Sequence, residues 1–144
     1  MSAARPLVVV GYDGSEHAER ALVFAAEEAR LRGAAVRVVT AWHVPTAVYG
    51  AGYAPMMSPS VEESEEEEAR RAAEEAAGKL RARGLEAEVV LAHAPAADAL
   101  VEAARDAELL VVGSRGHGGF AGLLLGSVSQ QCAQHASCPT VIVR

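Results

Sequence analysis

LLVVGSRG at residues 109–116, followed by Gly126-Ser127, is the stretch whose reading decides the fold. Leu109 to Val112 is an apolar run of strand length. It leads directly into Gly113-Ser114-Arg115-Gly116. Two residues separate Gly113 from Gly116, nine separate Gly116 from Gly126, and Ser127 opens a helix-like stretch. Glycine lets backbone approach a ligand closely and adopt conformations closed to other residues. A helix beginning at Ser127 turns its unpaired N–H groups back toward the same space. A strand, a glycine turn and a helix N-terminus around one cavity form an arrangement that holds phosphate.

Outward from this segment, strands and helices alternate. Residues 7–12 (LVVVGY) read as a first strand, broken by Asp13-Gly14-Ser15. Ser15 is a good N-cap, and Glu16 complements the dipole of the helix that follows. Ala18, Ala21, Leu22, Ala25, Ala26 and Ala29 recur at helical spacing, and Gly33 closes that helix. Residues 35–42 give a second strand, 61–83 a long helix, 86–92 a third strand and 95–105 a helix with Pro95 in its first turn. Residues 108–112 give a fourth strand, 127–136 a last helix in which Ser127 and Gln130 form a capping-box pair, and 140–143 a final strand.

This alternation predicts an α/β fold with a mostly parallel five-stranded sheet and helices on both faces. Right-handed crossovers restrict the topology, and the expected order is 3-2-1-4-5. In such a sheet ligands bind beyond the carboxyl ends of the strands, where the order reverses. Strands one and four flank that point, so the turn at Gly11-Tyr12-Asp13-Gly14-Ser15 meets the turn at residues 113–116.

The chain has 144 residues, with no linker and no internal repeat, and reads as one domain, 1–144. Its net charge is −6 and twelve of its thirteen basic residues are scattered arginines, which argues against nucleic acid. No apolar run approaches the ~20 residues that span a membrane. The residues before Leu7 carry no cleavage pattern, so a cytoplasmic location is expected, with Cys132 and Cys138 as reduced thiols. Their spacing matches no zinc pattern, and no two histidines pair as metal ligands. Glu62 to Glu68 reads as the solvated start of the long helix. Residues 116–121 (GHGGFA) match a dinucleotide fingerprint, but no acidic residue follows them, so the context fails. His43 to Ser60, with Tyr49, Tyr53, Met56 and Met57, is a long aperiodic connection that either closes over a ligand or plays no part in binding.

The segments VVVGYDGS at 8–15, VVGSRGHGGFAGLLLGSVS at 111–129 and PTVIV at 139–143 resemble the universal stress proteins. The resemblance runs through essentially the whole chain, and Gly113, Gly116, Gly126 and Ser127 match the family's ATP-binding signature. It implies a Rossmann-like fold, ATP as ligand with Mg2+ able to accompany the phosphates, and a homodimer. By this resemblance Asp13 would hold the ribose hydroxyls, and Tyr12 and Ala41 would touch adenine. Val112 would line the base or ribose pocket. Gly113, Gly116, Gly126, Ser127 and Val128 would meet the phosphates through main-chain N–H groups, with hydroxyls from Ser127 and Ser129. Arg115 stands where a basic residue often lies beside the position of His117, and His117 itself lies in the phosphate loop.

The expectation is therefore an ATP-binding, nucleotide-responsive stress protein without efficient catalysis, since no P-loop lysine motif is present. A nucleotide hydrolase or adenylyl transferase, with Asp13 or His117 in a chemical role, is one alternative. A scaffold that binds a protein through its acidic helix is the other. Edge strand 140–143 is expected to pair two copies. Gly113→Val is expected to abolish binding and leave the fold intact.

Overall fold

Three consecutive valines, Val8 to Val10, are entirely buried, as a strand covered on both faces requires. In the computed structural model, which describes residues 5–42, 59–116 and 125–144, strand and helix alternate. The elements are β1 (Leu7–Gly11), α1 (Glu16–Arg32), β2 (Ala35–Trp42), α2 (Pro59–Ala82), β3 (Ala87–His93), α3 (Ala96–Ala103), β4 (Leu109–Gly113), α4 (Ser127–His135) and β5 (Thr140–Val143). The strands form one sheet in the order β3-β2-β1-β4-β5, and every pairing is parallel. The chain moves outward from β1 to β3, then returns to β4 on its other side, which places the reversal between β1 and β4.

Strand alternation divides the core into two layers. On one face Val8, Val10, Val36, Val38, Leu109 and Val111 pack under α1 and α2. The helices meet them through alanines, among them Ala21, Ala25, Ala29, Ala73 and Ala76. On the other face Val9, Val39, Leu110 and Val112 pack with Leu100 of α3 and Cys132 of α4. Each fully buried valine contributes about 1.5–3 kcal/mol relative to an exposed one. On this second face α3 lies over β1 and β2, and α4 lies beside α3 and β5. Residues of β3 stay half-exposed or exposed.

The helix ends follow local chemistry. Ser15 caps α1 by accepting the Ala18 N–H at 3.2 Å. Gly33 ends α1 and Gly84 follows α2, with φ of 63° and 81°, the left-handed region that favours glycine. Pro95 is the N-cap of α3 instead of a residue of its first turn. Helix α2 starts at Pro59, two residues ahead of the expected Val61, because proline is pre-shaped for a helix start. Cys132 and Cys138 are free thiols, and burial pushes that of Cys132 up to about 11. The connection from His43 to Ser58, His117 and the residues from there to Leu124 lie outside the described residues.

Candidate functional site

The carboxyl ends of β1 and β4 open on a cavity of about 450 Å3, within the usual size range of small-molecule sites. Its floor is apolar: Gly11, Val39, Ala41, Leu100 and Val112 line it. The strand residues among them come from the sheet face covered by α3 and α4, and Leu100 comes from α3 itself. The opposite end is polar and backbone-rich, lined by Asp13, Ser114 to Gly116 and Gly126 to Ser129. The sequence-predicted residues Tyr12, Asp13, Ala41, Val112, Gly113, Arg115, Gly116, Gly126, Ser127, Val128 and Ser129 all line this one cavity.

The turn after β1 is set by short-range hydrogen bonds. Asp13 Oδ1 accepts the Ser15 N–H at 2.9 Å, a side-chain turn typical of aspartate. Gly14 lies at φ 83°. The Asp13 carboxylate reaches toward the opposite turn, where a Cβ on Gly116 would stand 2.6 Å from Oδ2. Glycine at 116 therefore leaves the space that this carboxylate occupies.

The turn after β4 is fastened to the start of α4. The Ser114 carbonyl accepts the Gly126 N–H at 2.7 Å and the Ser129 hydroxyl at 3.0 Å. That hydroxyl also lies 2.9 Å from the Gly126 carbonyl oxygen. The Ser114 N–H donates to Val143 at 2.7 Å, so the turn is held from β5 as well.

Gly126, not Ser127, is the N-cap of α4, with extended backbone and no capping side chain. The predicted Ser127–Gln130 capping box is absent. Ser127 is already the first helical residue, and the Gln130 N–H bonds the Gly126 carbonyl at 3.1 Å. The N–H groups of Ser127, Val128 and Ser129 consequently have no acceptor among the described residues. No acidic residue stands in this first turn. By contrast, α1 is capped by Ser15 and carries Glu16 and Glu19. Three helices start at the cavity: α1 is capped by Ser15, α3 has no side-chain cap but carries Asp98 in its first turn, and α4 has neither a capping side chain nor an acidic residue there.

Two of the expected ligand residues also serve the core. The ring of Tyr12 belongs to the layer under α1 and α2, on the other side of the sheet from the cavity floor. Its hydroxyl donates to Glu19, which also receives Lys79 at 2.8 and 3.0 Å. The ring is thus committed to the core, while Tyr12 also lines the cavity. Burial, reinforced by Glu19, raises the phenol above its ordinary range. For Glu19 burial opposes ionisation, yet the hydrogen bonds from Lys79 and Tyr12 prevail and hold its carboxyl below 4.5.

Gly113 is the second, and the expectation that Gly113→Val leaves the fold intact is corrected. A Cβ there would lie 2.8 Å from His17 Cβ and 2.9 Å from the His17 carbonyl carbon. Glycine at this position lets α1 pack against β4, so a valine would disturb the fold itself. His17, read from sequence as a surface or packing residue, has its Nδ1 3.1 Å from the Ser114 hydroxyl. It positions the turn after β4. Its place in the first turn of α1, next to a strand exit at the switch point, is the signal that would have found it.

The sequence pattern described as the universal stress protein family matches residues 6–144. A universal stress protein of Mycolicibacterium smegmatis is 38% identical over 138 residues, 95% of this chain and 45% of that one; the chain spans about half the length of that relative. A universal stress protein from Archaeoglobus fulgidus, solved in complex with dAMP, is 30% identical with a TM-score of 0.70 over 98% of both chains. A universal stress protein solved in complex with cAMP is 32% identical, with a TM-score of 0.68 over 99% of this chain and 98% of that one. With a match that runs from β1 through β5, on the sheet order and switch-point cavity described above, the chain belongs to the universal stress protein family.

Proposed function

We propose that the switch-point cavity binds an adenine nucleotide, with ATP as its ligand, and that the chain acts as a nucleotide-responsive stress regulator with at most slow hydrolysis. The observation that carries this reading is the open start of α4, where three successive N–H groups without acceptors border the polar end of an apolar cleft. A helix N-terminus contributes about 0.3–1 kcal/mol per nearby negative charge, and about 2 when partly buried. In this reading the phosphates lie against Ser127 to Ser129 and the turn at 114–116. The ribose faces Asp13, whose carboxylate accepts two O–H donors. The base occupies the floor at Val39, Ala41 and Val112. The dAMP and cAMP complexes of the two relatives support the adenosine end of this assignment.

Magnesium would ride on the phosphates and water, as it commonly does; among the described residues no group of three carboxylate, histidine or cysteine ligands forms a cage. The same reading includes a homodimer through the edge strand β5.

The test is mass spectrometry of small molecules released from freshly purified protein, paired with thermal unfolding on adding ATP. Released adenine nucleotide and a raised melting temperature are expected. No nucleotide and no shift would favour a scaffold role instead. ATP turnover faster than about one per second would favour an enzyme.

A further inference from the structure

The far edge of the sheet carries a second surface. On the face covered by α3 and α4, β3 presents Glu88, Val90 and Ala92. Val90 and Ala92, with Ala99 and Ala103 of α3, line a groove of about 500 Å3. This groove shares no lining residue with the nucleotide cavity.

Along this groove β3 is an edge strand. The Glu86 carbonyl accepts the Val36 N–H at 2.9 Å, toward β2. Alternate residues of a strand direct their backbone groups to opposite sides, so those of Ala87, Val89 and Leu91 face outward. The Ala87 carbonyl is met by Arg81 at 2.9 Å, which closes that end of the edge. The outward groups of Val89 and Leu91 have no hydrogen-bond partner among the described residues.

The rim is acidic. Arg37 is held by Glu88 at 2.5 Å and Asp106 at 3.0 Å, and Glu102 is paired with Arg105 at 3.2 Å. Asp98, exposed in the first turn of α3, adds a fourth carboxylate to these two guanidiniums. The rim is therefore net negative.

We propose that this edge and groove bind an extended segment of a partner protein, basic and carrying small apolar residues, which adds to β3 as a sixth strand. Open main-chain groups supply its hydrogen bonds, the Val90–Ala92 groove takes its apolar side chains, and the carboxylate rim selects lysine or arginine between them. A helix in the groove would leave the strand edge unpaired. A second copy of this chain would bring one acidic rim against another, on molecules each of charge −6.

The test uses the full chain and a fluorescently labelled heptapeptide of alternating lysine and valine, read by fluorescence polarisation. Saturable binding is expected, weakened at least about tenfold in the matching glutamate–valine peptide and in the lysine–valine peptide with a central proline. Ala99→Arg and the pair Asp98→Lys with Glu102→Lys should each weaken binding by a similar factor. Glu63→Lys with Glu67→Lys on α2 should leave it unchanged, and all variants should keep the parental circular dichroism and ATP affinity. Absent binding, equal binding of the glutamate or proline peptides, or loss only with the α2 pair would overturn the proposal. So would sedimentation showing that Ala99→Arg dissociates a dimer.

Discussion

Gly113 separates two readings that the sequence leaves merged. As a member of a glycine motif it looks like a ligand contact, and it does line the cavity. Its missing Cβ, however, is required by the backbone of His17. Gly113→Ala should lower stability by about 1–3 kcal/mol, the usual range for overpacking, measured as a reduced urea midpoint at constant slope; an unchanged midpoint would show that α1 yields freely. Tyr12 likewise serves the core as well as lining the cavity. The sequence puts it beside Asp13, but strand alternation turns its ring away from Gly11 and the cavity floor. Its partner Glu19 has a folded-state pKa below the ordinary 4.5. A depressed carboxyl stabilises the fold fully above its unfolded value and loses that contribution as pH falls through the folded value. The stability difference between the parent and Glu19→Gln should therefore shrink as pH drops from about 6 to about 3. A pH-independent difference would mean that the carboxylate charge is not what holds Tyr12 and Lys79.

The nature and sequence of the elements were legible because strong local signals mark them: Ser15 and Gly33 around α1, Pro95 at α3, and the valine-rich runs of β1 and β4. Boundaries moved where two residues compete for one role. At α4, Ser127 is the better capping residue by type. Yet Gly126 takes the cap, because its N–H is drawn to the Ser114 carbonyl and Ser129 supplies the second tie. That long-range pull is invisible in a local window. It also leaves the helix start uncapped, which strengthens the phosphate reading that the sequence suggested. At β5 the pattern is plain: four half-exposed residues, Thr140 to Val143, form the sheet edge opposite β3. If β5 pairs two copies, Ile142→Arg should give a monomer in sedimentation, whereas a retained dimer would place the interface elsewhere.

Across the whole molecule, the parallel sheet with its reversal between β1 and β4 joins parts that lie about a hundred residues apart in sequence, Asp13 and Gly116 among them. The topology was readable from strand–helix alternation and the handedness rule. The layer to which each side chain belongs was not, since a one-residue shift in a strand's end exchanges its two faces. The account rests on the main-chain N–H groups of α4 receiving a charged nucleotide tail, and Ser127→Pro tests this directly. Proline is tolerated at the first helical position and the extended Gly126 suits the residue before it, so the losses are one N–H and the Ser127 hydroxyl. Ser127→Ala, which loses the hydroxyl alone, is the control that should bind ATP more tightly than Ser127→Pro. Isothermal titration with ATP should show affinity reduced about 10- to 100-fold, the cost of a hydrogen bond to a charged group, at an unchanged melting temperature of the nucleotide-free protein. Equal affinity in the parent and Ser127→Pro would contradict the assignment of the phosphates to this helix.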